Sequence, residues 1–176
     1  MRPRVLVAGM GNDLCRDDGF GIAAVREYAP EAPPGARVIE TGTGGITLVQ
    51  ELMDGYDALV IVDAVERGGE PGTVYLLGTD VPDLDAMSEQ SRREFLADMH
   101  YAVPSRALIL ARALAVLPPT TYILGCQPLE CGLGMELSAP VLAGVREAVA
   151  RLRVLVPQLV AAAAATIPAP TAASSG

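Results

Sequence analysis

The segment Ala58-Leu59-Val60-Ile61-Val62-Asp63 decides the fold class of this chain. Five apolar residues, most of them branched, follow one another without a polar interruption, and an aspartate ends the run. A half-exposed strand alternates apolar and polar residues, whereas a continuous apolar run is typical of a strand buried on both faces. The segment therefore predicts a central strand in a sheet that helices cover on both sides.

Further strand candidates on either side of this segment alternate with helical patterns. Short apolar runs predict strands at 4–8, 37–40, 73–77 and 120–124. Apolar residues at helical spacing predict helices at 20–28, 46–53, 104–117 and 141–155, the last with Ser138 as its N-cap. This alternation is the pattern of an α/β domain with a largely parallel sheet.

Length and composition predict one globular domain. The chain has 176 residues, which suits a single α/β domain at 1–160, and an Ala/Pro/Ser-rich tail at 161–176 is expected to be disordered. Residues 80–98 are mostly polar and predict a loop with a short helix. No secretory leader and no uninterrupted apolar run of about 20 residues is apparent, so we expect a cytoplasmic protein that does not span a membrane.

The charged residues exclude several classes of function. Thirteen basic residues, all arginine, stand against 21 acidic ones, for a net charge of −8. Such a chain is not expected to bind nucleic acid or anionic membranes. Without lysine, Schiff-base and P-loop lysine mechanisms are excluded. One histidine excludes a two-histidine metal site, and three cysteines are too few for a disulfide framework or a four-cysteine zinc site.

Three loops at predicted strand ends concentrate the unusual polar residues. They are 11–19, Asp63-Ala64 and 125–128, and in parallel sheets such loops gather at one edge, where ligands bind. In the first loop, Gly9-Met10-Gly11 opens like a dinucleotide-binding fingerprint. Position 14 is leucine rather than the third glycine, and the nearby acids disfavour phosphate, so nucleotide binding is not expected.

Acids and a histidine are the candidate ligands. One of the adjacent residues Asp17 and Asp18 is expected to cap a helix or brace the loop, and the other to be a ligand. Asp63 suits a strand terminator and a ligand equally well. His100 alone is more often a structural residue. Two carboxylates and one imidazole would nevertheless make an open site for a divalent transition metal.

The cysteines near this edge are interpreted as packing residues. Cys126 and Cys131 are expected to be small, buried apolar side chains. Gln127 and Pro128 predict a turn, with the Gln127 side-chain amide free to orient some other group. Arg16 is expected to pair with a nearby carboxylate.

Taken together, four segments resemble the hydrogenase maturation proteases, which process the large subunit of nickel-iron hydrogenases. They are the loop 9–21; the glycine loop 42–45; Val62-Asp63-Ala64-Val65 with 69–74; and 125–128 with 132–133 and 137–138. They occur in the family's order and spacing and extend over residues 4–155. The first segment is the most specific, although the family more often has glutamate where this chain has Asp18.

The resemblance implies a fold and a set of ligands. The fold is a three-layer α/β sandwich with a central, mostly parallel five-stranded sheet. Asp18, Asp63 and His100 would bind nickel, with Asp18 and Asp63 also serving catalysis, and Glu40 would fill the acidic position before the glycine loop. The nickel is carried by the substrate, and another divalent metal could replace it in vitro.

The implied activity is that of an endopeptidase making a single cut. It removes a C-terminal extension from the nickel-loaded large-subunit precursor, and a carboxylate or the metal activates the attacking water. We expect a monomer whose partner is that precursor. The alternative is a non-catalytic module that only checks whether a partner has received its nickel.

Overall fold

The computed structural model describes residues 4–43, 45–79, 81, 88–90 and 103–165. These residues contain five strands: β1 (Val5–Met10), β2 (Ala36–Gly42), β3 (Ala58–Ala64), β4 (Val74–Gly78) and β5 (Thr120–Cys126). The α-helices of the described residues are α1 (Phe20–Tyr28), α2 (Ile46–Leu52), α3 (Val103–Ala113) and α4 (Ala139–Ala165). The predicted elements are therefore present, apart from the loop at 80–98, most of which lies outside the described residues.

The strands form one five-stranded sheet in the order β2-β1-β3-β5-β4. β1 runs parallel to β2 and β3, and β3 runs parallel to β5, whereas β4 is antiparallel to β5. The mostly parallel sheet is confirmed. The carboxyl ends of β1, β2, β3 and β5 consequently share one edge, which we call the carboxyl edge.

The core lies in two layers, one on each face of the sheet. Val5 and Val7 of β1 point to the face covered by α1 and α4. Leu6 and Ala8 point to the opposite face, covered by α2 and α3. The apolar run of β3 is likewise buried on both faces. The three-layer sandwich is confirmed.

α1 packs unusually close to the sheet because Gly21 has no side chain. A Cβ at Gly21 would lie 2.1 Å from the carbonyl oxygen of Val62 and 2.3 Å from that of Met10. The beginning of α1 is therefore held against the ends of β1 and β3. This contact brings the loop that precedes α1 directly over the carboxyl edge.

α4 is longer than predicted. The pattern predicted an end near Leu155, but the helix runs through Pro157 to Ala165, so the first five residues of the expected tail are helical. Alanine has the highest helix propensity, and residues 161–165 are all alanine. Residues 166–176 lie outside the described residues.

By length and composition, α4 is a helix that could cross a membrane. Eight of its residues are nevertheless buried, and those from Val141 to Val156 pack in the core with β1 and α1. The buried face of α4 therefore belongs to the core of the sandwich.

Candidate functional site

The loops predicted to meet at one edge do so. The loop between β1 and α1 and the segment 128–138 after β5 lie side by side: Cys15 forms a parallel bridge with Gly134, and the amide of Arg16 donates to the carbonyl of Gly134 at 2.8 Å. Asp63 lies within β3, where it pairs with Gly125 of β5. The sequence placed these segments together, but it did not predict their direct pairing.

Asp17 is the brace of this edge. Its side chain is fully buried and accepts hydrogen bonds from the amides of Leu129 (2.9 Å), Glu130 (3.0 Å) and Ser138 (2.7 Å) and from the Ser138 hydroxyl (2.8 Å). Burial raises the pKa of Asp17, but these four donors outweigh it and hold the pKa below its ordinary value. Asp17 therefore joins loop 11–19 to segment 128–138, and its full burial keeps it from reaching an external ligand.

Asp18 and Asp63 form the acid pair of the site. Both approach Gly11, where a Cβ would lie 1.8 Å from the Asp18 carbonyl oxygen and 3.8 Å from Oδ1 of Asp63. Gly11 also has a φ of +119°, which favours glycine. A side chain at this position would collide with the backbone of Asp18 and would contact the Asp63 carboxylate.

The electrostatics of the acid pair favour a proton or a cation. Burial, and then the negative charge of Asp18, raise the pKa of Asp63 to about 7, against a smaller opposite effect of the Ala64 amide. Burial also raises the pKa of Asp18, partly offset by the Asn12 amide. Neighbouring carboxylates with little hydrogen bonding disfavour their ionised forms, and a bound cation would relieve this.

His100, the third predicted ligand, lies outside the described residues. α3 begins at Val103, three positions later in sequence, and its Ala107 lies against Gly45, just beyond the end of β2: a Cβ at Gly45 would be 3.0 Å from the Ala107 Cβ. α3 thus begins near the carboxyl edge. Within the described ranges, no group of three histidine, cysteine or acidic side chains forms a metal site.

Gln127 has a larger structural role than the predicted turn. It is 3% exposed, and its Oε1 accepts from the amides of Arg67 (2.8 Å) and Gly69 (3.2 Å). Its Nε2 donates to Glu66 at 2.6 Å. Gln127 therefore fixes the loop that follows Asp63, and the only sequence signal for this was an amide at a strand end.

The cysteines differ from one another. Cys126 is buried as predicted, and burial, followed by the charge of Asp17, raises its thiol pKa to about 11, so the thiol is protonated at neutral pH. Cys131 is exposed, which makes the interpretation as a buried hydrophobe wrong for that residue. It lies next to Glu130, in the segment whose backbone amides at Leu129 and Glu130 bind Asp17.

Arg16 and Glu40, two further charged residues considered for this edge, form ion pairs. Arg16 donates to Glu130 at 2.5 Å, as an ion pair was predicted for it. Glu40 accepts from two nitrogens of Arg26 at 2.9 and 2.8 Å, and Arg26 also donates to Asp13. Glu40 is therefore held in an ion pair with Arg26.

Known proteins with this arrangement were identified by sequence and by structure. The family model HycI, hydrogenase maturation protease, matches residues 24–153. The hydrogenase expression/formation protein HupD of Rhizobium leguminosarum bv. viciae is 34% identical over 143 residues, which cover 79% of this chain and 67% of that protein.

Solved structures agree in fold. The [NiFe] hydrogenase maturation protease HybD of Thermococcus kodakarensis superposes with a TM-score of 0.67 at 29% identity, over 87% of this chain and 99% of that one. The maturating endopeptidase HybD of E. coli, at 23% identity, superposes with a TM-score of 0.70 over 88% of this chain and 93% of that one, and supports the fold alone. This chain belongs to the hydrogenase maturation protease family, whose members are endopeptidases.

Proposed function

We propose that this protein removes a C-terminal extension from the nickel-loaded large-subunit precursor of a nickel-iron hydrogenase. The observation that carries the proposal is the acid pair Asp18–Asp63, held at the carboxyl edge of a protein of the maturation protease family. The acidic edge, within a chain of net charge −8, is suited to a cation on a protein partner and unsuited to nucleic acid.

Nickel enters this proposal as part of the substrate. Asp18, Asp63 and His100 would bind it when the precursor docks, and the precursor's own ligands would complete the coordination sphere. Two carboxylates and one imidazole suit a divalent transition metal, so another divalent ion would be accepted in vitro. A sparse set of ligands makes recognition depend on the precursor having received its metal.

The acid pair also suits the hydrolysis itself. Hydrolysis of a peptide bond requires a group that takes a proton from the attacking water, and a base works best when its pKa lies near the working pH. In the metal-free protein Asp63, with a pKa of about 7, meets this requirement, whereas nickel bound to Asp63 would lower that pKa and would itself activate the attacking water. The Cys126 thiol does not, because it is buried and protonated.

The decisive experiment mixes the protein with nickel-loaded precursor, and in parallel with nickel-free precursor, and weighs the large subunit by mass spectrometry. We expect the mass of the extension to be lost only from the nickel-loaded form. Unchanged mass with the cognate precursor would overturn the endopeptidase proposal, and equal cleavage without nickel would overturn recognition through the metal.

Single variants in the same assay test the residues. Asp63→Asn is expected to slow processing by about 100-fold or more, as for loss of a group acting on the reacting atoms. His100→Ala should impair processing more than Cys126→Ser, which is the control for a thiol mechanism. The reverse order would indicate a cysteine nucleophile.

The assay also separates the proposal from a non-catalytic role in checking nickel loading. A checking module would bind the precursor, retain that binding in Asp18→Asn and Asp63→Asn, and never shorten it. We further propose that the protein acts in the cytoplasm as a monomer, which sedimentation of the purified chain would test.

A further inference from the structure

An exposed apolar surface lies on loop 11–19 and on segment 128–138, which Asp17 joins, and it has no role in the site described so far. It consists of Leu14, Leu129, Leu133 and Met135, which we call the apolar loop surface. Leu133 is 88% exposed and Met135 is 75% exposed, and the other two are more than half exposed. Contiguous large apolar side chains on a protein surface mark interaction sites more often than isolated ones do.

The backbone under this surface is tied down. The amide of Gly134 donates to the carbonyl of Leu14 at 3.0 Å, and the Arg16 amide donates to the carbonyl of Gly134. The amides of Leu129 and Glu130 donate hydrogen bonds to the buried Asp17 carboxylate. The apolar side chains are therefore presented on an ordered backbone, which lowers the entropy lost when a partner binds.

A cavity of about 420 Å³ continues the surface at Met135. It opens between the start of α1 and the start of α4, and apolar atoms of Ala23, Leu137 and Leu142 line it together with Met135. Charged side chains, including Arg26 and Glu136, complete its lining. An apolar pocket with a polar rim beside exposed hydrophobic residues has the anatomy of an anchoring site for a partner's side chain.

We propose that the apolar loop surface and this cavity dock an apolar segment of the hydrogenase large-subunit precursor next to the bond that is cut. The inference rests on the proposed function, because it takes the precursor as the partner. The argument for that occupant is continuity: the surface is attached through Asp17 to Asp18, its neighbour in the chain. Gly19, directly after Asp18 in the chain, lines the cavity, so a precursor whose metal reaches Asp18 lies beside it.

The test compares Leu133→Ser/Met135→Ser with the control Leu114→Ser/Met53→Ser. The control removes one exposed leucine and one exposed methionine that follow α3 and α2, at the opposite edge of the sheet. Processing of nickel-loaded precursor is measured as KM and kcat, and the Kd of the same precursor is measured by biolayer interferometry. Sedimentation velocity reports self-association of each protein.

We expect the surface variant to raise both KM and Kd about 10-fold or more, with kcat at saturation within about twofold of wild type, and the control to change neither. Wild-type KM and Kd in the surface variant would overturn the docking inference while leaving the endopeptidase proposal intact. Absence of cleavage by wild type would overturn the proposed function, and the Kd comparison would still decide the docking. A wild-type dimer that the surface variant dissociates would assign the surface to a second copy of this chain instead.

Discussion

Asp17 and Asp18 are adjacent in the chain and occupy opposite electrostatic environments. The Asp17 carboxylate is enclosed by four hydrogen-bond donors from segment 129–138, and its pKa is held low. Asp18 faces Asp63 with few donors, and the pKa values of both are raised. The fold stabilises Asp17 as an anion, whereas it gives Asp18 and Asp63 few hydrogen-bond donors.

The difference indicates how this edge combines rigidity with reactivity. The donors around Asp17 compensate fully for burying a charge, so that Asp17 contributes to stability. The acid pair instead costs stability, because two anions are desolvated close together with only one amide donor each as compensation. Such uncompensated groups are typical of functional sites. The hydrogen bonds of Asp17 hold the adjacent Asp18 in position despite this cost.

The largest expected effect comes from breaking the brace. Asp17→Asn should lower the free energy of unfolding by about 4 kcal/mol at pH 7, because an amide nitrogen would face buried donors that need an acceptor. Urea denaturation measures this. Asp13→Asn, in the same loop but half exposed and paired only with Arg26, is the matched control and should change stability by less than about 1 kcal/mol.

The pH dependence of that loss sharpens the comparison. The pKa of Asp17 is lower in the folded protein than its ordinary value of 3.8, so its stabilisation is fully present above that value and is lost as the pH falls through the folded pKa. At pH 5 the deficit of Asp17→Asn should still be complete. A deficit that disappeared between pH 7 and pH 5 would contradict the assignment of Asp17 as an ionised brace.

The acid pair should respond in the opposite direction. A pKa of about 7 for Asp63, against 3.8 without the fold, corresponds to roughly 4 kcal/mol of destabilisation when Asp63 is ionised. The substitution of Asp63 by asparagine also replaces a charged acceptor of the Ala64 amide with a neutral one. The weaker hydrogen bond reduces the expected gain in stability by about 1 kcal/mol. Asp63→Asn should therefore stabilise the chelator-treated protein by about 3 kcal/mol at pH 8, while slowing processing by about 100-fold or more.

This gain has a defined pH window. Because the folded pKa lies above the unfolded one, the cost of Asp63 is absent below pH 4, grows as the pH rises, and is complete above pH 7. Urea denaturation of wild type and Asp63→Asn at pH 4, 6 and 8 should show free energies of unfolding that diverge with increasing pH. Parallel curves would show that Asp63 carries no unfavourable charge in the folded protein.

The sequence predicted the sheet and its layers because the signals are local. The apolar run at 58–62 and the helical spacing at 20–28 each depend on a few neighbouring residues. Because the carboxyl ends of parallel strands share one edge of a sheet, the sequence also predicted that loop 11–19 and Asp63 lie at the same edge. It failed at residues 161–165, where a composition that is typical of a tail is also strongly helix-forming.

The division of roles between Asp17 and Asp18 was beyond the sequence. Both are aspartates before a helix, and the donors that distinguish them lie more than 110 positions further along the chain, at Leu129, Glu130 and Ser138. Which carboxylate is braced depends on how two distant loops pack. No local pattern encodes that contact, and the same holds for the pairing of Cys15 with Gly134.

The smallest expected effect concerns the backbone that separates the two environments. Arg16, directly before Asp17, has a φ of +49°, a left-handed conformation that is unfavourable for residues with a Cβ. Its exposed ion pair with Glu130 contributes little to stability. Arg16→Ala and Arg16→Gly both lose that pair, but only glycine also relieves the backbone. Arg16→Gly should therefore be about 1 kcal/mol more stable than Arg16→Ala in thermal and urea unfolding. Equal stability of the two would show that the turn positioning Asp17 toward its donors is held without backbone strain.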